Sequence, residues 1–146
     1  MIRTLAISAL LACFSLPALS QSALQSSHIE ANVPPSESFE PFLRRDLLAF
    51  FNAPGASTVT RVEFKLLREA PTQSGVAYPK YYLWVKSFAG SALQQEGAAR
   101  VAAIDRKRFE VTNFLSKAQV QSAPTEVSSV FPAALVPTIF SLAAAK

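Results

Sequence analysis

The chain is poor in the residues that build reactive centres. Its one cysteine is Cys13 and its one histidine is His28. Beyond residue 20 there is no cysteine, so disulfides cannot stabilise the fold even in an oxidising compartment. Nucleophilic catalysis needs a base held rigidly beside its nucleophile, and a zinc site usually needs several Cys or His ligands. A single histidine in a polar N-terminal stretch supplies neither. The four glycines are scattered among connections and form no phosphate-cradling loop. The expectation is therefore no catalytic residue, no metal ligand and no cofactor. Apolar runs of the roughly 20 residues needed to span a bilayer are also missing.

What is present begins with an export pattern. Arg3 supplies a positive start, Thr4 to Leu16 form an apolar segment, and Pro17 ends any helix. Ala18-Leu19-Ser20 then places small residues where a signal peptidase cleaves. We expect residues 1–20 to be a signal peptide, with cleavage before Gln21 and Ser22 as a second choice, and a periplasmic or secreted mature protein. A competing reading takes Leu10-Leu11-Ala12-Cys13 as a lipobox. Cys13 would then be the lipidated N-terminus of an envelope protein, the one route to membrane contact. The apolar course of Phe14–Leu19, where a lipoprotein turns polar, favours the soluble form.

Removing the first 20 residues leaves 126, enough for one domain and one core. Eleven Phe in the whole chain, with Leu, Val and Ile in short periodic runs, exclude disorder over most of it. The formal charge is +4, or +3 without Arg3. That modest excess is compatible with anionic surfaces but is first a matter of solubility.

Residues 21–36 read as a flexible leader of Gln, Ser, Asn and Pro, and residues 37–146 as the domain. From Ser36 or Ser38, the spacing of Phe39, Phe42, Leu43, Leu47, Phe50 and Phe51 predicts an amphipathic helix with Arg44, Arg45 and Asp46 on its other side. The period then changes to two. Val62, Phe64 and Leu66 alternate with charged residues, which predicts a strand. Further strands are expected over 80–88, over 98–104 after a Gly90 to Gly97 connection, and over 109–115. Short helical turns follow near 116–121 and 125–130. An apolar helix over 133–145 should be delayed by Pro137. The expected fold is α+β: an N-terminal helix packed on a four-stranded antiparallel meander, with short C-terminal helices.

That succession resembles the cystatin-like arrangement, a long helix across a curved antiparallel sheet. The inhibitory Gln-x-Val-x-Gly motif of cystatins is not reproduced by Gln119-Val120-Gln121-Ser122-Ala123, so the resemblance implies no protease inhibition.

Two groups of residues are candidate sites. On the second strand Lys80, Tyr82, Trp84 and Lys86 share one face, an aromatic pair flanked by lysines. Left open, it would be a platform for a protein, a glycan or a small ligand. Alternatively it is core, since Val127, Val130, Phe131, Leu135, Ile139 and Phe140 need an apolar surface to cover. The second group, Arg106-Lys107-Arg108, could hold an anion at a turn tip. Export argues against nucleic acid as a partner. The preferred function is an exported, non-catalytic binding or accessory protein. The alternatives are a small enzyme using a pocket carboxylate (hydrolase or isomerase-like) and a lipid-anchored envelope protein.

Overall fold

The computed structural model describes residues 19–55 and 58–146. The expected signal segment through Ala18, with Cys13, lies outside them. Two helices, α1 (Leu19–Asn32) and α2 (Ser36–Phe51), precede four strands, β1 (Arg61–Leu66), β2 (Lys80–Ala89), β3 (Ala92–Ile104) and β4 (Arg108–Ser116). The chain then forms α3 (Lys117–Ser122), α4 (Pro124–Val130), a 3-10 turn (Ala133–Leu135) and α5 (Val136–Ala144). The sheet is an antiparallel meander in the order β1-β2-β3-β4. The fold is α+β, with helices on both faces of the sheet.

Helix α2 covers the inner face. Leu43, Leu47 and Phe51, four residues apart, are buried against Val62, Tyr81, Leu83, Val85, Ala99, Val101, Ala103 and Phe109. Each such side chain contributes roughly 1.5–3 kcal/mol by leaving water. Phe50, expected in this stripe, is instead 39% exposed and meets Phe51 and Phe114 edge-on. The stripe is narrower than the sequence suggests because the helix rotates Phe50 to the rim.

The opposite side of α2 is not simply solvated. Arg44 donates to the Val62 carbonyl and lies over the Phe64 ring. Arg45 donates to the Lys107 carbonyl at 2.8 Å, and the Asp46 carboxylate accepts the Phe109 backbone N–H at 2.6 Å. These contacts clamp the end of the β3–β4 hairpin to the helix. Asp105 (φ 52°) and Arg106 (φ 59°) form its tip in left-handed geometry that non-glycine residues rarely adopt. Asn32, at the end of α1, compensates. Its side-chain oxygen accepts from the Asp105 N–H and its carbonyl from the Arg106 N–H.

This places a helix where a flexible leader is expected. From Gln21 to Val33 there is no glycine or proline to interrupt a helix. Pro34 and Pro35 end it, and Asn32 ties it to the sheet. A second difference lies between β2 and β3. The whole Gly90–Gly97 stretch is expected as a connection, but the turn is only Gly90-Ser91, with Gly90 at φ 61°, and β3 begins at Ala92. Residues 92–95 are exposed because the hairpin tip overhangs the helical layers, so apolar alternation is not required there. Gly97 is needed for another reason. A Cβ there would lie 2.2 Å from the Leu115 carbonyl oxygen.

The outer face carries the C-terminal helices. Ser116 starts α3 with a capping box to Gln119, and Pro124 and Pro137 sit in the first turns of α4 and α5, where the missing N–H costs nothing. Tyr82, Trp84, Ala98 and Leu115 of the sheet are buried against Val120, Val127, Phe131, Ile139 and Ala143. Among the described residues no helix is long and apolar enough to cross a membrane.

Candidate functional site

Strand register places the outer-face residues in rows. Lys86 lies between Glu63 and Glu96, Trp84 between Lys65 and Ala98, and Tyr82 opposite Arg100. The parity read from the sequence is therefore correct: Lys80, Tyr82, Trp84 and Lys86 share one face. An open aromatic platform is not what results. Tyr82 is 6% and Trp84 5% exposed. The Tyr82 ring lies 6.1 Å from that of Phe131, and its hydroxyl is 2.7 Å from that of Thr72. The C-terminal helices cover both rings, because their own apolar residues have no other surface to occupy.

The four residues also separate into two environments. Lys80 belongs with Arg100 and Glu110. Burial, and then the Arg100 charge, lower its pKa against the opposing pull of Glu110. Arg100 itself donates to the Thr112 hydroxyl and the Val130 carbonyl, joining the sheet to the helical layer.

Trp84 and Lys86 belong with Glu96. The indole N–H donates to Glu96 at 2.9 Å, and the ammonium groups of Lys86 and Lys117 stand 3.4 and 3.5 Å from its carboxylate oxygens. The Glu96 side chain is 13% exposed. Burial pushes its pKa up, but the indole hydrogen bond, Lys86 and Lys117 together outweigh it and hold the carboxyl below its ordinary value. Glu96 is thus an ionised anchor for two cations, the opposite of what a general acid requires. It was not singled out in the sequence, where it falls in the supposed connection. The 12-residue separation from Trp84 becomes a contact only through the tight turn at Gly90.

The C-terminal helices stop short of the β1 side of this face. There Glu63, Phe64, Lys65, Trp84 and Lys86 line a shallow trough of about 240 Å³. Glu63 pairs with Arg61, whose guanidinium stacks 3.9 Å from the centre of the Phe88 ring. Lys65 is exposed and makes no ion pair among the described residues.

Arg106, Lys107 and Arg108 are all exposed at the β3–β4 turn, without ion-pair partners among the described residues. Ile104 beside them lies eight steps along β3 from Glu96, roughly 27 Å of strand. The two basic groups therefore do not converge. His28 lines a cleft of about 470 Å³ between α1 and residues 73–76, together with Leu24 and Val76. Its ring nitrogen lies 3.5 Å from the Asn32 amide. Among the described residues no three His, Cys, Asp or Glu side chains cluster as metal ligands. Compared with known proteins, the chain matches no family model, no curated protein and no solved structure.

Proposed function

We propose that the chain is an exported, non-catalytic accessory protein of the periplasm, envelope or secreted fraction. It binds a carboxylate-bearing protein partner through the β1 side of the outer sheet face. The observation that carries this reading is the uncovered trough at Glu63, Phe64, Lys65, Trp84 and Lys86, next to an edge strand. The rim of Trp84 supplies apolar contact, since the Phe64 side chain turns to the inner face. Lys65 supplies an unpaired cation, and Lys86 one already oriented by Glu96. A pre-ordered cation loses less side-chain entropy on association than a free one. The charged alternation of Arg61, Glu63 and Lys65 suits a selective contact, since it discourages indiscriminate edge pairing.

The test is photo-crosslinking in the source envelope from a photoreactive residue at position 65, with exposed position 128 on α4 as control. A discrete adduct from position 65, lost when Lys86→Glu is added and absent from position 128, is expected. Equal adducts from both positions, or an adduct insensitive to Lys86→Glu, would refute the assignment.

A further inference from the structure

The inner face of the sheet opens at the end where α2 begins. There the Val33–Pro34 bend, the first turn of α2 and the end of β1 border an open cleft of about 380 Å³, within the range of small-molecule sites. Val33, Pro34, Phe39 and Leu66 make its walls apolar. Tyr81 lines it as well, its ring packed edge-on against Phe39 at 4.9 Å.

Three features of this cleft are independent of one another. The Tyr81 ring is buried, while its hydroxyl makes no hydrogen bond among the described residues and is not sealed from solvent, so it is free to meet a ligand; that of neighbouring Tyr82 is satisfied by Thr72. Burial pushes the Tyr81 phenol up to about 12, so it remains a neutral group with acceptor lone pairs to offer. Glu69, at the rim, is exposed and has no ion-pair partner among the described residues. Among the described residues no Lys or Arg lines the cleft. Ser36 at its mouth donates to Glu37, and Glu37 already offsets the positive end of the α2 dipole. An anion would meet the Glu69 carboxylate here.

The geometry points to a binding site for a small organic cation, an amine with an aromatic or branched alkyl body. The body lies against Phe39, Leu66 and Pro34, and the ammonium sits between the Tyr81 hydroxyl, the aromatic rings and the Glu69 carboxylate. Aromatic faces and a carboxylate both attract an ammonium group. This site lies on the opposite face of the sheet from the partner trough and does not depend on it.

The test is an NMR titration of the mature protein with three probes of similar shape: phenethylammonium, 2-phenylethanol and 3-phenylpropionate. The amine should bind about five- to tenfold more tightly than the alcohol and the propionate most weakly, with shifts centred on Phe39 and Tyr81. Glu69→Gln, an exposed change that leaves the fold intact, should abolish most of the preference for the amine while leaving the alcohol unaffected. Tyr81→Phe should weaken the amine severalfold. Lys65→Glu/Lys86→Glu should leave all three titrations unchanged, which separates this site from the outer-face reading. The proposal is overturned if the amine binds no better than the alcohol, if Glu69→Gln retains the preference, or if none of the probes shifts Phe39 and Tyr81.

Discussion

Asp46→Ala is the change that most sharply separates a clamped hairpin from a freely solvated helix face. In the folded chain the Asp46 carboxylate accepts the Phe109 N–H at 2.6 Å and pairs with Arg45 at 2.7 Å, its side chain only 16% exposed. Removing it leaves the Phe109 amide without its partner at the start of β4, a loss of about 1.5–3 kcal/mol for a charge-assisted bond. The Arg45 pair adds little, because the arginine side chain is 52% exposed and such pairs contribute about 0.2–1 kcal/mol. The expected total is about 2–3 kcal/mol. At the usual urea dependence of about 1–3 kcal/mol per M, the unfolding midpoint should fall by about 1–2 M with an unchanged slope. Arg45→Ala should cost about 1 kcal/mol, and the Arg45/Asp46 double mutant should lose less than the sum of the two. A stability for Asp46→Ala within about 0.5 kcal/mol of the parent would show that this side of α2 is ordinary surface.

Other substitutions test the packing on each side of the sheet. Leu47→Ala should cost about 2–5 kcal/mol, and Phe50→Ala about 1 kcal/mol, because Leu47 is fully buried and Phe50 lies at the rim; equal urea midpoints would contradict the orientation of α2. Gly97→Ala should destabilise by about 2–3 kcal/mol, since its methyl group would enter the Leu115 carbonyl and force β3 and β4 apart; a neutral effect would refute that close approach. Glu96 has a folded-state pKa below its ordinary value of 4.5. Its contribution to stability is therefore fully present above pH 4.5 and is lost as pH falls through the lower folded value. The difference in urea midpoint between the parent and Glu96→Gln should shrink on acidification through that range; a constant difference would refute the anchoring role.

Much of this architecture was legible in the residues because burial imposes a period. Val62 and Phe64 alternate with charges since β1 has one buried face, and Leu43, Leu47 and Phe51 repeat every four residues since α2 has one buried stripe. Features fixed by tertiary contacts carried no such period. The helix at Leu19–Asn32 is rich in Ser and Gln and is held through Asn32 to a turn 73 residues away. The first residues of β3 lack alternation because neither face of the overhanging hairpin is covered. Trp84 shows the same limit at the candidate site. Its side of the sheet followed from strand parity, but which part of that side the C-terminal helices cover depends on packing that no local pattern encodes. Glu96 escaped notice for a related reason, since its meaning arises only when the Gly90 turn brings it to Trp84, Lys86 and Lys117.

The division of the outer face into a half covered by helices and an open flank is the claim on which the proposed function turns, and Trp84 stands at that boundary as the chain's only tryptophan. Acrylamide quenching of its fluorescence measures the coverage directly, because acrylamide is uncharged and is not concentrated by the neighbouring lysines. The account predicts a blue-shifted native emission and a quenching slope that is a small fraction of the slope in urea. A native slope equal to that of the unfolded chain would place Trp84 in open solvent and contradict the covering of the sheet by α3, α4 and α5.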